Sequence, residues 1–330
     1  MGTQPAAAVR PPIGDGLLAV LWGLRKPFIR VAVVYVAYFA FVTVIYFPYH
    51  TDAVVPPTVK TSALKFYAGI YSASAAAEPQ SDGSVYVENA KDAIEEVQIV
   101  PTVQAFVKNF GLENKRVLDI GAGTGYLQDV VRDYVGLDIS PTARRYFHKP
   151  FVEASATDMP FADGEFDAAW SIWVLEHVPN PEQALLEIRR VVKDGGIILL
   201  EPAWNCPPWA ADGYPVRPYR DFGIKGELIK ASLKVRKHPA FVQSYMAPIR
   251  LIRSEWARIS GAPTRLHYNL LTPNFDHYWM SDSDAVNSLD AYEAMLWFTS
   301  RGDECLNCDK DTLYNPPLGL IIRVHKHSAR

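Results

Sequence analysis

With 330 residues, 33 Lys and Arg against 36 Asp and Glu, and a pI near 6.3, the chain carries no charge excess suited to nucleic acid. About half of its residues are apolar, the composition of an ordinary globular protein. Three cysteines are too few for a disulfide framework, and the odd count leaves at least one free thiol, which fits a reducing compartment.

Residues 1–50 form an N-terminal segment with an expected membrane-anchor helix at about 28–47. Val31 to Phe47 carries no charge, and Phe28 and Ile29 extend the run past Arg30. A run of roughly 17–20 apolar residues meets the lower limit for crossing a bilayer. Arg30 snorkels at its edge, tyrosines lie near its end, and Pro48 stops it. A buried helix or strand pair is the competing reading. Arg10, Arg25, Lys26 and Arg30 precede the run and only Lys60 and Lys65 follow closely, so charge asymmetry puts the N-terminus in the cytosol and all beyond residue 50 outside.

Residues 51–90, rich in Pro, Ala and Ser, read as a linker or stem. A helix is expected from about Asn89 to Phe110, with Ile94, Val97, Val103, Phe106 and Val107 on its apolar face despite Pro101. Strands are expected at Arg116–Ile120, Tyr134–Asp138, Phe151–Ala154, Phe166–Trp173 and Ile197–Glu201. A helix from Glu182 to Val192 is stopped by Asp194-Gly-Gly196. Alternating strand and helix imply a doubly wound, parallel α/β sheet over a core at 91–202. Residues 203–302 break the alternation and read as a mostly helical substrate cap. Residues 303–330 hold the final strands, with a pair near 303–308 and 318–325 closing the sheet.

A strand followed by a glycine-rich turn exposes backbone N–H groups to a ligand. Here Val117–Ile120 leads into Gly121, Gly123 and Gly125, with Asp119 two residues ahead of the first glycine. A dinucleotide fingerprint needs a third glycine where Tyr126 stands. Asp138, nineteen residues beyond Asp119 at the next strand end, suits the two hydroxyls of a ribose.

VLDIGAGTGY (117–126), GLDIS (136–140), ATDMPFADGEFDAAW (156–170), EHV (176–178) and RRVVKDGGIILLEP (189–202) fall in one order. In that order residues 100–202 resemble the class I S-adenosylmethionine-dependent methyltransferases of the type found in ubiquinone and menaquinone biosynthesis. The resemblance implies a mostly parallel, seven-stranded sheet, S-adenosylmethionine as cofactor and S-adenosylhomocysteine as product. It assigns Asp119 and the three glycines to the methionine end, Asp138 to the ribose, and Asp158 with Met159 to the adenine, with Ile139 also among the cofactor-binding residues. Trp173 joins the cofactor set. A turn-capping role before Pro160 is the alternative for Asp158. Val192-Lys-Asp-Gly-Gly196 and a short connection from Gly125 to Asp138 are minor departures.

The fourth strand's end, which faces the methyl group in this fold, carries Trp173, Glu176 and His177. His177 is the candidate base for a hydroxyl acceptor, the alternative being a histidine that hydrogen-bonds loop backbone. No Asn/Asp-Pro-Pro-Tyr motif stands there, which with the acidic pI argues against nucleic acid as substrate. Glu176, Trp204, Trp209 and Tyr214 are candidate acceptor contacts, with Tyr219 and Phe222 nearby; aromatic walls suit lipids, quinones or sugars. Gly226–Pro239 is a basic amphipathic stretch fitted either to an anionic membrane or to solvent. Asp282 and Asp284 bind polar substrate groups or cap the following helix. Cys305-x-x-Cys308 lacks a second close pair, so no metal ligand set is read. The expected function is methyl transfer, at oxygen, to a small or lipid-linked acceptor at a membrane. A glycan methyltransferase and a non-catalytic cofactor-binding module stand as alternatives. The cofactor is made in the cytosol, which favours a cytosolic catalytic domain over a lumenal one and sets the charge rule against the cofactor supply. An interfacial helix removes that conflict.

Overall fold

The computed structural model describes residues 26–41, 57–72 and 82–326, in two compact units, Met1–Tyr46 and Phe47–Arg330. In the first, residues 26–41 form a helix, α1, with Val31, Val34 and Phe41 exposed. The expected anchor extends to residue 47, so its last part lies outside the described residues. Among the described residues no helix is long and apolar enough to cross a membrane.

The second unit is built on a seven-stranded sheet. Its strands are β1 (Arg116–Ile120), β2 (Asp133–Asp138), β3 (Phe151–Glu153), β4 (Phe166–Ile172), β5 (Val192–Glu201), β8 (Glu304–Cys305) and β9 (Leu320–Arg323), while β6 (Tyr268–Leu270) and β7 (Asn287–Leu289) form a separate antiparallel pair. The order is β3-β2-β1-β4-β5-β9-β8; β1 to β5 run parallel, and β9 is antiparallel to both neighbours. Order reverses between β1 and β4, which opens a crevice at the carboxyl ends of those strands. Alternate residues serve the two faces of the sheet: Leu118, Ile120 and Leu200 enter one core, Val117, Ala168 and Leu199 the other. Helix α5 (Pro181–Val191) covers the first face with Ala184, Leu185 and Ile188, and α4 (Ile99–Phe110) the second with Val103, Phe106 and Val107.

Three local expectations change. The single helix over 89–110 is two, α3 (Asp82–Glu96) and α4, because Gln98 turns left-handed at φ 57° between them. Pro101 falls in the first turn of α4, where a missing N–H costs nothing. The glycines at 195 and 196 lie inside β5 rather than ending a helix, with an irregular register against β4. Residues 51–90 carry α2 (Pro57–Ile70) and the start of α3 where a linker was expected. Alanine favours helix as readily as it fills linkers, and Ala63 and Ile70 are buried on one face of α2.

The region 203–302 holds α6 (Ile224–Arg236), α7 (Pro239–Ser260) and α8 (Ala291–Thr299) together with the β6–β7 pair. Helix α8 belongs to the sheet core, because its apolar side chains point all round and Trp297 and Phe298 are fully buried against the first face. Two bidentate ion pairs lock α7 to α8. Arg250 donates to Asp290 at 2.9 and 2.7 Å, and Arg253 to Glu293 at 2.9 and 3.0 Å.

Candidate functional site

The crevice contains two cavities of about 370 and 130 Å³, which share Tyr71, Tyr86, Gly121 and Trp173 in their walls. Gly121, Gly123 and Gly125 all adopt positive φ, at 72°, 51° and 73°. A Cβ on Gly121 would come within 2.2 Å of the Val174 side chain, so only glycine fits there. Gly121 N–H and Ala122 N–H both donate to the Leu137 carbonyl, tying the turn to β2.

Asp119 ends β1 beside the smaller cavity and is 5% exposed. The Tyr134 hydroxyl donates to its Oδ2 at 2.7 Å, yet burial pushes the carboxyl up to about 7. Asp138 ends β2 in the wall of the larger cavity; its Oδ2 accepts from Gly123 N–H at 2.9 Å and its Oδ1 from Ser140 N–H at 2.8 Å. Burial raises its pKa and those N–H bonds oppose the rise. Ile139 lines the same cavity. Trp173, at φ 54°, lines both and donates its N–H to the Glu201 carbonyl.

Two expected residues sit elsewhere. Asp158 is exposed, because a tight turn closes on it from Ser155, and Ser155, Ala156 and Thr157 form that part of the wall. Met159 is in the core, its N–H donating to Glu187 Oε2 at 2.9 Å. The aromatics expected at the acceptor are not among the residues lining the two cavities. Trp204 Nε1 donates to the Leu318 carbonyl, Trp209 lies under the Arg236 guanidinium, and Tyr214 packs on Phe222 with ring centroids 4.6 Å apart.

Aromatic walls come instead from Tyr67 and Tyr71 at the end of α2 and Tyr86 in α3. Their i, i+4 spacing in KFYAGIY was the available signal. Ser140 Oγ and Thr142 Oγ1 donate to the Tyr67 and Ala68 carbonyls at 3.0 and 2.9 Å, fastening α2 over the cofactor end of β2.

Beyond β4, Leu175–His177 form a single 3-10 turn. Glu176 is fully buried, with Oε1 accepting from Ala203 N–H at 3.1 Å, and its carboxyl is pushed up to about 7 by burial. His177 lines the larger cavity; its Nδ1 stands 3.3 Å from Asp284 Oδ2 and its Nε2 3.7 Å from Glu176 Oε1. Burial disfavours the charged ring, but Asp284, Glu176 and Asp282 outweigh it and raise the His177 pKa. The Tyr67 hydroxyl donates to Asp284 Oδ2 at 2.8 Å, so this lid tyrosine also contacts the acidic cluster.

Cys305 and Cys308 are joined by a disulfide at the edge of the sheet, and Cys206 is a buried free thiol.

Residues 118–200 match the methyltransferase domain family. A demethylmenaquinone methyltransferase of Thermus thermophilus is 32% identical over 177 residues, covering 48% of this chain and 78% of that protein. The chain belongs to the S-adenosylmethionine-dependent methyltransferases. A fatty-acid O-methyltransferase of Mycolicibacterium smegmatis is 29% identical to this methyltransferase over 187 residues, 51% of this chain and 67% of that one. Among solved structures, the YcgJ protein of Bacillus subtilis is 27% identical with a TM-score of 0.26, over 28% of this chain and 46% of its own. That overlap spans about half of the solved chain and is too small to bear on fold or function.

The family implies S-adenosylmethionine as cofactor, and the residues fit it. A molecule with a cationic amino-acid end, a diol and a flat base needs an acid for the amine, an acid for the hydroxyls and an apolar slot. Asp119, Asp138 and the Leu137, Ile139 and Val178 walls supply these around a turn that tolerates no side chain at Gly121.

Proposed function

We propose that this methyltransferase transfers a methyl group to an oxygen of a small or lipid-linked acceptor at a membrane surface, on the cytosolic side. S-adenosylmethionine, when bound, supplies a sulfonium methyl whose C–S bonding pair stays with sulfur as the O–C bond forms. In this reading Asp119 and the glycine turn hold the methionine end, Asp138 and Ile139 the ribose, and the Ala156–Thr157 wall the adenine. Trp173 closes the joint between the two cavities.

The observation that carries the oxygen assignment is the buried imidazole–carboxylate pair of His177 and Asp284 in the cavity wall, 3.3 Å apart. A hydroxyl acceptor has a proton to lose, and His177 is the side chain that reaches the cavity to take it, with Asp284 orienting the ring. Tyr67, Tyr71 and Tyr86 supply a largely apolar wall suited to an apolar acceptor and exclude water from the transfer. The fatty-acid O-methyltransferase relative supports an acyl-type acceptor. Exposed apolar side chains on α6 and α7, among them Leu228, Val235, Ile252, Trp256 and Ile259, support contact with a lipid surface, with Lys234 and Lys237 exposed nearby in sequence.

The test is methyl transfer from labelled S-adenosylmethionine into cell membranes and cytosol, followed by organic–aqueous partition. Label in the organic phase, released by mild alkali as expected of a methyl ester or retained as an ether, supports the reading. Label confined to the aqueous phase overturns the lipid acceptor in favour of a glycan or soluble metabolite.

A further inference from the structure

The cluster around His177 holds more acid than a proton acceptor needs. Glu176, His177 and Asp282 each offer one ligand atom, and these atoms all lie within 4.8 Å of one another. Glu176 and Asp284 are both 0% exposed, and Glu176 Oε2 and Asp284 Oδ1 have no hydrogen-bond partner among the described residues. No Lys or Arg among the described residues pairs with Glu176, Asp282 or Asp284; the ion pairs recorded for this cluster involve only His177. Glu176 Oε1 and Asp284 Oδ2 have donors in Ala203 N–H and the Tyr67 hydroxyl, and His177 stands beside both acids, but the two remaining oxygens are buried without a donor, and an acid cluster of this kind can coordinate a metal.

We propose that Glu176, His177 and Asp282 form a binding site for one divalent first-row transition ion, with Asp284 positioning His177. Two carboxylates and one imidazole make a mixed oxygen–nitrogen donor set suited to Mn²⁺, Fe²⁺ or Zn²⁺. Ligand atoms on one such ion lie about 3.3–3.6 Å apart in tetrahedral geometry at bond lengths of about 2.0–2.2 Å, so a pair at the 4.8 Å limit would have to close by roughly an ångström. Asp284 Oδ2 stands 3.3 Å from Nδ1 without a directed hydrogen bond between them, and Nε2 faces Glu176, an approach to the carboxylate–histidine–metal arrangement in which the outer carboxylate sets tautomer and orientation. Asp282 sits at φ 63°, a left-handed conformation that Asp adopts more readily than most residues with a side chain.

His177 lines the larger cavity together with Trp173 and Gly121, so an ion it holds would lie next to that cavity. Its consequence for catalysis rests on the oxygen-acceptor reading above, whereas the ion site does not. When bound, the ion would supply Lewis-acid chemistry that lowers the pKa of an acceptor hydroxyl, with Glu176, His177 and Asp282 holding it. In the loaded protein His177 is then a ligand, and the proton acceptor of the metal-free site is not required.

The experiment is a Mn²⁺ titration of the chelator-stripped full chain, without cofactor or acceptor, read by loss of the free-ion paramagnetic resonance signal. Saturation at one ion per chain is expected, with Zn²⁺ in competition. Asp282→Asn and Glu176→Gln are each expected to weaken binding by more than about tenfold, and Asp284→Asn by about 10–100-fold as an outer-sphere partner. Absence of saturable binding in the unaltered protein overturns the site, whatever the variants do. Binding that is unchanged in both ligand variants overturns the ligand set. Since no methyl transfer is measured, either result leaves the transferase reading to its own assay.

Discussion

Lowering the pH from 8 to 6 takes Asp119 from about nine-tenths to about one-tenth ionised, because burial holds its carboxyl at about 7. A protonated Asp119 must lose its proton before it can pair with the cationic methionine end of the cofactor. Cofactor affinity is therefore expected to fall about tenfold across that interval. The sign for stability is opposite. Its folded pKa lies above the unfolded value of about 3.9, so its contribution is fully present below pH 4 and is lost as pH rises through about 7. In Asp119→Asn both dependences on this group vanish, leaving a weak affinity that varies less with pH. Tyr134→Phe removes the 2.7 Å hydrogen bond to Oδ2. A bond to a charged acceptor is worth about 1.5–3 kcal/mol, so the midpoint is expected to rise by about 1–2 pH units. Glu176 also titrates near 7 in the same crevice, so the measured quantity is the difference between the unaltered protein and Asp119→Asn in calorimetric titrations at constant ionic strength. Identical slopes in the two proteins would refute the assignment of Asp119.

Gly121→Ala is expected to abolish detectable cofactor binding while the fold persists, because its Cβ meets Val174 at 2.2 Å on a left-handed backbone; circular dichroism and titration check both halves. Asp138→Ala should weaken cofactor binding by about an order of magnitude or more, since charge-assisted hydrogen bonds disappear and Gly123 N–H loses its acceptor. His177→Ala should cost about 10²–10⁴ in turnover with cofactor affinity intact; near-normal turnover would remove its role as base. Arg250→Ala leaves Asp290 buried and unpaired and should cost about 3–5 kcal/mol in denaturant unfolding.

The strands and the glycine turn were legible because their causes are local. Apolar runs such as Val117–Ile120 need only their own pattern, and positive φ at three spaced positions selects glycine. The two acids at strand ends followed from the same register. What escaped was set by distant packing. Asp284 meets His177 from more than a hundred residues away, and no spacing rule announces that pair. The α2–α3 lid hid in Ala- and Ser-rich sequence that resembles a stem, although Tyr67 and Tyr71 at helical spacing were the trace of its buried face. The aromatics at 204, 209 and 214 follow β5 directly but pack elsewhere: the Trp204 Nε1 donates to the Leu318 carbonyl, the Trp209 ring lies under Arg236, and Tyr214 packs on Phe222. Asp158, expected at the adenine, is exposed in the turn before Pro160, next to the Ser155–Thr157 wall of the larger cavity.

The central claim is that the crevice binds S-adenosylmethionine and uses it. The most direct measurement incubates the purified full chain with S-adenosylmethionine and a lipid extract, and follows S-adenosylhomocysteine release by mass spectrometry. Multiple turnovers that require the extract and fail in Asp138→Ala are the expected result. Tight binding of S-adenosylmethionine with no S-adenosylhomocysteine formed in lipid or aqueous extract would contradict the account and make the chain a binding module.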